Sequence, residues 1–481
     1  MHRWLGVALC VVMLLWFPSG IGMMYWRFPE VTDADRLARA PALDPDTIRL
    51  SPAEAAVKAE MDGSPGDLRL TTFDGRPAYR FFGGAVTVYA DTGDLQGEVS
   101  LDLVRRTAAR WTGEPIESAT AERVREIDQW TIQMSLFDHQ PVWKFSWPDG
   151  QQVYVSGATG DVLQYTTTAS RIGAYLGPIT HWVYFTPIRT RPEWITFMIW
   201  SSGIGAVAAL LGLVVGLWLY APDKRYRHDG TSTAIPFKGQ KRWHTILGLA
   251  FGVATVTWAF SGMLSLDPFP SLDRGPGRRG RGGEIQGAIQ GEVDMAAFTT
   301  HPREVLRRAG RPVRELAFTS FGGQPVHTAF LDARARHMLA VDGTPLPAFD
   351  RDAIAALVRQ AVPAPEVVTA SLVGQYDLYY RDRTRQLPLP VVLIQLHDAE
   401  KTRYYVDPVT AEVVGGYSSR NWVGRFLYNG LHSLDFPWLY NYRPLWDVVV
   451  IFFMVGGTAL CATSLVLAWR VVGRTLARPF R

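Results

Sequence analysis

Four histidines stand out because they occupy two pairs of corresponding positions. His2 begins HRWLGVALCVVMLLWFPSG and His244 begins HTILGLAFGVATVTWAFSG, and both stretches place Leu-Gly after three residues, Trp after fourteen and Ser-Gly after seventeen. His181 and His432 form the second pair, each 26 residues after the valine of a Tyr-Val dipeptide. Imidazole binds metals and carries protons, so these pairs are candidates for a metal centre. A solvated or capping histidine at a helix end is the simpler alternative.

The matching spacings indicate an internal duplication. The first unit covers residues 1–220 and the second covers 244–470. Each unit has the order histidine-headed apolar segment, long polar segment, second histidine, second apolar segment. An Arg-Pro-x-Trp sequence follows the second histidine in both units, slipped by one residue.

The apolar content is high at 47%, and four apolar segments without Asp, Glu, Lys or Arg contribute to it. Each has 22 to 28 residues, which at 1.5 Å per residue crosses a hydrocarbon core of about 30 Å. We therefore predict an α-helical membrane protein with four transmembrane helices and two external domains. The predicted order is a first helix within 1–26, an external domain 27–193, a second helix 194–221, a basic loop 222–242, a third helix 243–266, an external domain 267–447, a fourth helix 448–469 and a tail 470–481.

Basic residues set the expected orientation. The loop 222–242 holds six Lys or Arg against two Asp, and the tail adds four Arg. Short basic flanks stay in the cytoplasm, so we expect both termini inside a bacterial inner membrane and both long segments in the periplasm. The net charge of +4 is interpreted as this topology signal, with no nucleic-acid partner. The first helix is interpreted as an uncleaved anchor, because no small-x-small cleavage site precedes Arg27.

The two external segments are predicted to be α+β. RPAYRFFGGAVTVYADTGDLQG and QPVWKFSWPDGQQVYVSGATGDVLQY alternate apolar and polar residues around Gly-containing turns, which predicts antiparallel strands. PVHTAFLDARARHMLAVDGTP and PVVLIQLHDAEKTRYYVDPVTAEVV repeat the pattern in the second segment. Helical sequences such as LDLVRRTAARWTG precede these strands. Each external domain is therefore expected to hold a helix followed by a meander, twice.

These stretches resemble a known family. VWKFSWPDGQQVYVSGATGDVLQ is similar to the PepSY domain, and HRWLG, WHTILGL and LHSLDFPWLY are similar to PepSY-associated transmembrane proteins, also called iron-regulated membrane proteins. The resemblance covers nearly the whole chain, and the hairpin together with four spans and their histidines is more specific than the hairpin alone. Relatives carry several residues before the first histidine, which here is residue 2. The natural start is therefore expected either here or upstream of Met1.

The resemblance implies a haem-dependent oxidoreductase of the inner-membrane ferric-siderophore reductase type, with two b-type haems. His2 and His244 would be the axial ligands near the cytoplasmic face, and His181 and His432 those near the periplasmic face. We call these the inner pair and the outer pair. Two axial imidazoles on one porphyrin suit electron transfer.

The same resemblance implies the partners. No flavin or nicotinamide domain is fused to the chain, so the electron donor would be a quinol or a separate cytoplasmic reductase. The acceptor would be a ferric siderophore or another periplasmic molecule, and membrane lipid surrounds the helices. No catalytic acid, base or nucleophile is expected, and the sequence contains no GxSxG, HExxH or Walker motif.

Other functions remain open. PepSY modules resemble the inhibitory pro-segments of some metalloproteases, so a non-enzymatic envelope protein that binds or inhibits a peptidase is the main alternative. A transporter is disfavoured because the spans lack buried charges. A zinc site is disfavoured because no carboxylate or thiolate shares the expected depth of either pair.

The sequence also predicts alternative roles for three further features. Trp16 and Trp258 correspond in the two units and are assigned either to the space between the haems or to helix packing. Asp447 is assigned either to holding a ligating imidazole through its second nitrogen or to solvating a helix end. The GxxxG sequence at 212–216 allows close helix contact or leaves room for a flat porphyrin.

Overall fold

The computed structural model describes residues 1–61, 67–135, 137–268, 281–362, 368–382 and 385–476. The α-helices in these ranges are α1 (His2–Tyr25), α2 (Asp33–Arg39), α3 (Pro52–Lys58), α4 (Leu101–Thr112), α5 (Thr168–Ala174), α6 (Thr186–Arg189), α7 (Trp194–Leu219), α8 (Gly239–Leu264), α9 (Arg281–Gln290), α10 (Pro302–Ala309), α11 (Arg351–Ala361), α12 (Leu431–Ser433), α13 (Pro437–Tyr440) and α14 (Leu445–Leu476). The strands are β1 (Leu68–Phe73), β2 (Arg76–Phe81), β3 (Val86–Tyr89), β4 (Thr120–Val124), β5 (Val142–Ser146), β6 (Gln152–Ser156), β7 (Val162–Thr166), β8 (Tyr226–His228), β9 (Thr231–Thr233), β10 (Glu315–Phe321), β11 (Gln324–Phe330), β12 (Arg336–Ala340), β13 (Val368–Val373), β14 (Val391–Leu396), β15 (Arg403–Val406) and β16 (Val413–Tyr417).

Helices α1, α7, α8 and α14 are long and apolar enough to cross a membrane. They correspond to the four predicted segments, although α8 begins four residues earlier than predicted and α14 extends beyond 448–469 at both ends. The prediction stopped at the first charged residue, whereas Lys and Arg are good helix formers and continue the helix. Adjacent glycines let α14 approach its neighbours, because a Cβ at Gly456 would overlap the ring of Phe251 and one at Gly457 would overlap Phe17.

The first meanders of the two external segments form one six-stranded antiparallel sheet, in the order β12-β11-β10-β1-β2-β3. At its centre β1 pairs with β10, and Leu70 lies opposite Leu316. Both leucines are fully buried. The sequence indicates two external segments but not this shared sheet, because alternation identifies the two faces of a strand and not the partner at its edge.

A buried carboxylate lies at this junction, and it carries a prediction about stability. Glu315 accepts hydrogen bonds from Arg36 at 2.6 Å and from Arg69 at 2.8 Å, and its side chain is fully buried. We expect Glu315→Ala to lower the free energy of unfolding by about 2 kcal/mol, because both guanidinium groups lose a charged partner. Thermal unfolding of the purified chain, followed by circular dichroism, measures the loss. Asp33→Ala is the control, since Asp33 pairs with the same Arg36 but is 79% exposed. Equal effects of the two substitutions would contradict the prediction.

A second buried polar side chain, His327 on β11, makes the stability of the six-stranded sheet depend on pH. It is fully buried between the rings of Phe298 and Phe318, and burial lowers the pKa of His327 to about 4. Between pH 6.5 and pH 4 the unfolded chain binds a proton that the folded chain does not. Stability therefore falls as pH falls through this range, by about 3 kcal/mol. We expect His327→Leu to remove this part of the pH dependence in equilibrium unfolding. His337→Leu on the exposed face of β12 should leave it in place.

The second meander of each external segment forms its own four-stranded sheet, in the orders β4-β5-β6-β7 and β13-β14-β15-β16. Both sheets have a register shift at the repeated Tyr-Val dipeptide, which begins at Tyr154 and at Tyr405. Each of these tyrosines donates to a carboxylate from the loop between the first two strands of its sheet, Tyr154 to Asp128 at 2.6 Å and Tyr405 to Asp377 at 2.9 Å. The repeat is thus present in strand register and in side-chain bonding as well as in sequence.

The last strands of these sheets, β7 and β16, lead into the helix bundle. After β7 the chain passes through α5 and a π-helical turn, Tyr175–Ile179, to reach His181. After β16 a π-helical segment, Val423–Gly430, precedes His432. π-Helical turns are rare and occur frequently at functional sites. The two halves therefore use the same irregular connection to place one histidine each.

Candidate functional site

The structure brings the four predicted histidines together as two pairs. The ring centroids of His2 and His244 are 6.1 Å apart and their planes are inclined by 32°. The centroids of His181 and His432 are 6.0 Å apart and their planes are inclined by 68°. The inner pair lies near the starts of α1 and α8, the ends of these helices that are remote from the six-stranded and four-stranded sheets. The outer pair lies where the sheets join the bundle.

A backbone carbonyl of α7 holds the first histidine. Nδ1 of His2 is 2.8 Å from the carbonyl oxygen of Ala208. The ring fits there because residue 212 is glycine, and a Cβ at Gly212 would overlap the imidazole. A carbonyl oxygen only accepts hydrogen bonds, so Nδ1 carries the hydrogen. The lone pair of His2 is therefore on Nε2.

A hydroxyl of α14 holds the second member of the inner pair. Nδ1 of His244 is 3.1 Å from Oγ1 of Thr463, and this hydroxyl donates its hydrogen to the carbonyl of Leu460 at 2.7 Å. Because a hydroxyl has one hydrogen, Thr463 accepts the bond from Nδ1 of His244. His244 therefore has the same tautomer as His2.

Serines of the repeated Ser-Gly sequence hold the outer pair. Nδ1 of His181 is 3.1 Å from Oγ of Ser19, which donates to the carbonyl of Leu15 at 2.6 Å. Nδ1 of His432 is 3.1 Å from Oγ of Ser261, which donates to a carbonyl one turn earlier in α8 at 3.2 Å. Each serine hydrogen is already donated, so each Oγ accepts from the imidazole. The outer pair thus also carries its lone pairs on Nε2.

The separation within each pair matches that of two imidazoles on one metal ion. In the described part of the chain none of the four Nε2 atoms has a hydrogen-bond partner, and metal-binding histidines characteristically bond a carbonyl or other acceptor through the second nitrogen. An imidazole nitrogen binds a first-row metal at about 2 Å and lies about 1 Å from its ring centroid, so two axial imidazoles have centroids roughly 6 Å apart. The measured values are 6.1 and 6.0 Å.

The inner pair borders a cavity of about 340 Å³ between the four long helices, which we call the inner cavity. Six glycines lie on its wall: Gly6, Gly205, Gly212, Gly216, Gly248 and Gly252. Gly6 and Gly248 follow His2 and His244 by one helical turn, and a Cβ at Gly6 would meet nothing within 4 Å. The volume falls within the range of cofactor pockets, about 300–1,000 Å³. The cavity therefore has room for an apolar ligand beside both imidazoles.

The outer cavity, beside the outer pair, is smaller at about 80 Å³. Trp16, Phe17, Trp258 and Met454 are among its lining residues. The sulfur of Met454 is 3.0 Å from the position of a Cβ at Gly20, so this side chain fills space close to His181. The two imidazoles suit an iron porphyrin, but the volume does not. A porphyrin at this site requires the flexible Met454 side chain to move.

These contacts bear on two further expectations from the sequence, the role of Trp16 and Trp258 and the role of Asp447. Trp16 and Trp258 lie on the wall of the outer cavity, and Trp258 packs against Phe17 at 6.1 Å between centroids, which favours the packing role. Asp447 does not hold an imidazole. Its carboxylate accepts a hydrogen bond from Nε of Arg443 at 2.7 Å.

Sequence reasoning missed the residues that orient the imidazoles. The repeated Ser-Gly was the available signal: the serine accepts from the imidazole, and the glycine lies beside the ring. A Cβ at Gly20 would lie 3.7 Å from Cε1 of His181, and one at Gly262 would lie 3.5 Å from Cε1 of His432. Ala208 acts through its backbone, so its residue type gives no indication of the role.

Each pair is a site with two protein donors. Among the described residues no group of three or more His, Cys, Asp or Glu side chains is placed to hold a metal ion. Two axial imidazoles are the protein ligands of a metal whose other positions are filled by a macrocycle. No protein-family model matches the chain, and no curated protein matches it in sequence. The candidate function therefore depends on the geometry of the two pairs.

Proposed function

We propose that this chain is a bacterial inner-membrane electron-transfer protein that holds two b-type haems, one at each histidine pair. The observation that carries the proposal is that both pairs have Nδ1 bonded to a neighbouring helix and ring centroids roughly 6 Å apart. When bound, haem iron supplies one-electron redox chemistry. His2 and His244 would hold the inner group. His181 and His432 would hold the outer one, which their cavity accommodates only after the Met454 side chain moves.

The packing between the two sites supports electron transfer along the bundle. Met13 lines both the inner and the outer cavity, so a single layer of side chains separates them. Met13, Phe17 and Trp258 belong to the buried apolar core of the bundle. This core keeps water away from the space between the two sites.

The direction of transfer is proposed from the topology. Electrons come from a quinol or a separate cytoplasmic reductase at the inner pair and leave at the outer pair. The acceptor is a ferric siderophore or another periplasmic molecule held by the PepSY-type sheets, because β7 and β16 are joined to His181 and His432 by short helical segments. One electron converts Fe(III) to Fe(II), which weakens an oxygen-rich iron cage and releases the metal.

The second candidate is a non-enzymatic PepSY envelope protein that binds or inhibits a peptidase. It is favoured by β4 and β13, the edge strands of the two four-stranded sheets. Four of the five residues of β4 and three of the six residues of β13 are exposed, and in the described part of the chain the outer edge of each strand is open for pairing with an extended peptide. This function makes no use of the histidine pairs.

Purification of the full chain in detergent, from cells supplied with iron, distinguishes the two. We expect a red protein with a Soret band, split α and β bands after dithionite, and two haems per chain in a pyridine haemochrome assay. A folded but colourless protein would overturn the di-haem proposal. Inhibition of a peptidase by that colourless protein would support the second candidate.

A further inference from the structure

The mouth of the inner cavity carries positive charge. Among the described residues, Arg3 and Lys241 are the lysine and arginine side chains of its lining, and no Asp or Glu lies on its wall. Both cations are exposed. Within the described ranges neither forms an ion pair: the Arg3 guanidinium lies 4.7 Å from the centroid of the Trp4 ring, and the Lys241 ammonium lies 5.9 Å from that of Phe237.

Both cations lie close in sequence to the histidines of the inner pair. Arg3 follows His2 directly, and Lys241 precedes His244 by three residues, which is about one turn of α8 towards the start of that helix. The rest of the wall is mostly glycine and aliphatic side chains, together with Met13, Phe237, the thiols of Cys10 and Cys461 and the hydroxyls of Thr245, Thr255 and Ser464. The inner cavity is thus an apolar slot with a cationic rim, and it fits a flat apolar ligand that carries acidic groups on one edge.

We propose that Arg3 and Lys241 bind the two propionate carboxylates of the inner haem and so fix its orientation, with the acidic edge towards the basic loop 222–242. This inference rests on the proposed function. Haem b carries its two carboxylates on one edge of an otherwise apolar ring, which matches the distribution of charge around the cavity. Hydrogen bonds from guanidinium or ammonium to carboxylate are stronger than those between neutral groups.

The two cations should also affect the midpoint potential of the inner haem. Positive charge near the iron disfavours the ferric form, which has one more positive charge than the ferrous form. Removal of either cation should therefore lower the midpoint potential of the inner haem and leave that of the outer haem unchanged.

The test uses the full-length haem-loaded chain and the single variants Arg3→Gln and Lys241→Gln. Arg242→Gln is the matched control, because Arg242 is adjacent to Lys241 but does not line the cavity. Transfer of haem to excess apomyoglobin gives the rate of loss, and a spectroscopic redox titration gives the two potentials. We expect loss of the inner haem to be about three- to tenfold faster in each variant, with a lowered inner potential. Arg242→Gln should match the wild type, and Lys241→Arg should restore slow loss.

The outcomes separate this inference from the proposed function. Suppose that His244→Ala loses the inner haem, while Arg3→Gln and Lys241→Gln both keep the wild-type rate of haem loss and the wild-type potentials. This result would overturn the anchoring role alone. Equal changes in Arg242→Gln would show a general effect of surface charge and would also overturn it. A wild type without haem overturns both.

Discussion

Replacement of His244 by alanine is expected to remove the inner haem and to leave the outer one in place. At the inner pair the nitrogens that can bind iron are Nε2 of His244 and Nε2 of His2, because Nδ1 of His244 is hydrogen-bonded to Thr463 and Nδ1 of His2 to Ala208. Without His244 only His2 would remain to hold the haem iron, so the inner haem and its low-spin spectrum should both be lost. Haem content should fall from two per chain to about one. His432→Ala should do the same at the outer pair, because the two sites are separate.

A pyridine haemochrome assay and electron paramagnetic resonance of the purified variants measure these losses. His337→Ala is the matched control, since His337 is exposed on β12 and belongs to neither pair. Transfer of electrons from a quinol to a periplasmic acceptor should stop in both pair variants, because each haem is a required step. An unchanged spectrum in His244→Ala would contradict the assignment of the inner ligands.

Leucine in place of Gly248 is expected to exclude the inner haem without unfolding the bundle. Gly248 lines the inner cavity, and a Cβ at that position would have its nearest contact at 3.9 Å, with Leu460. A Cβ therefore has room at this position, and we expect the rest of the leucine side chain to extend into the cavity and occupy the space of the ligand. Leucine also has a higher helix propensity than glycine. The haem-free protein should be at least as stable as the wild-type apoprotein, while occupancy of the inner site falls to about a tenth or less.

Haem content and thermal unfolding of the same preparation check this prediction. Gly473→Leu is the control, because Gly473 also lies on a long helix and has open space around it but does not line the cavity. Gly6→Leu should reproduce the loss from the other side of the slot. Two haems per chain in Gly248→Leu would show that the ligand does not lie in the inner cavity.

The four long helices and the pairing of the histidines could be predicted because each has a direct physical signature. An uncharged run of more than twenty residues satisfies its backbone polar groups in a bilayer only as a helix. The duplication places His2 and His244 at equivalent depths, and likewise His181 and His432. Their side chains do come within 6.1 and 6.0 Å of each other, centroid to centroid.

The remaining features depend on contacts that residue type does not determine. The pairing of β1 with β10 joins two edges, and alternation along a strand describes only its faces. Ala208 contributes a carbonyl oxygen, which every residue has. The size of the outer cavity depends on the rotamer of Met454, a flexible side chain, and no spacing in the sequence specifies it.

The shared sheet and the two histidine pairs have one consequence in common. β1 and β10 are equivalent strands that pair antiparallel, and each pair takes one imidazole from each half of the chain. Contacts of this kind are isologous, the type that two identical subunits form about a twofold axis. The chain therefore has the arrangement of a covalently fused homodimer. One half alone would carry two imidazoles that belong to different sites and would complete neither.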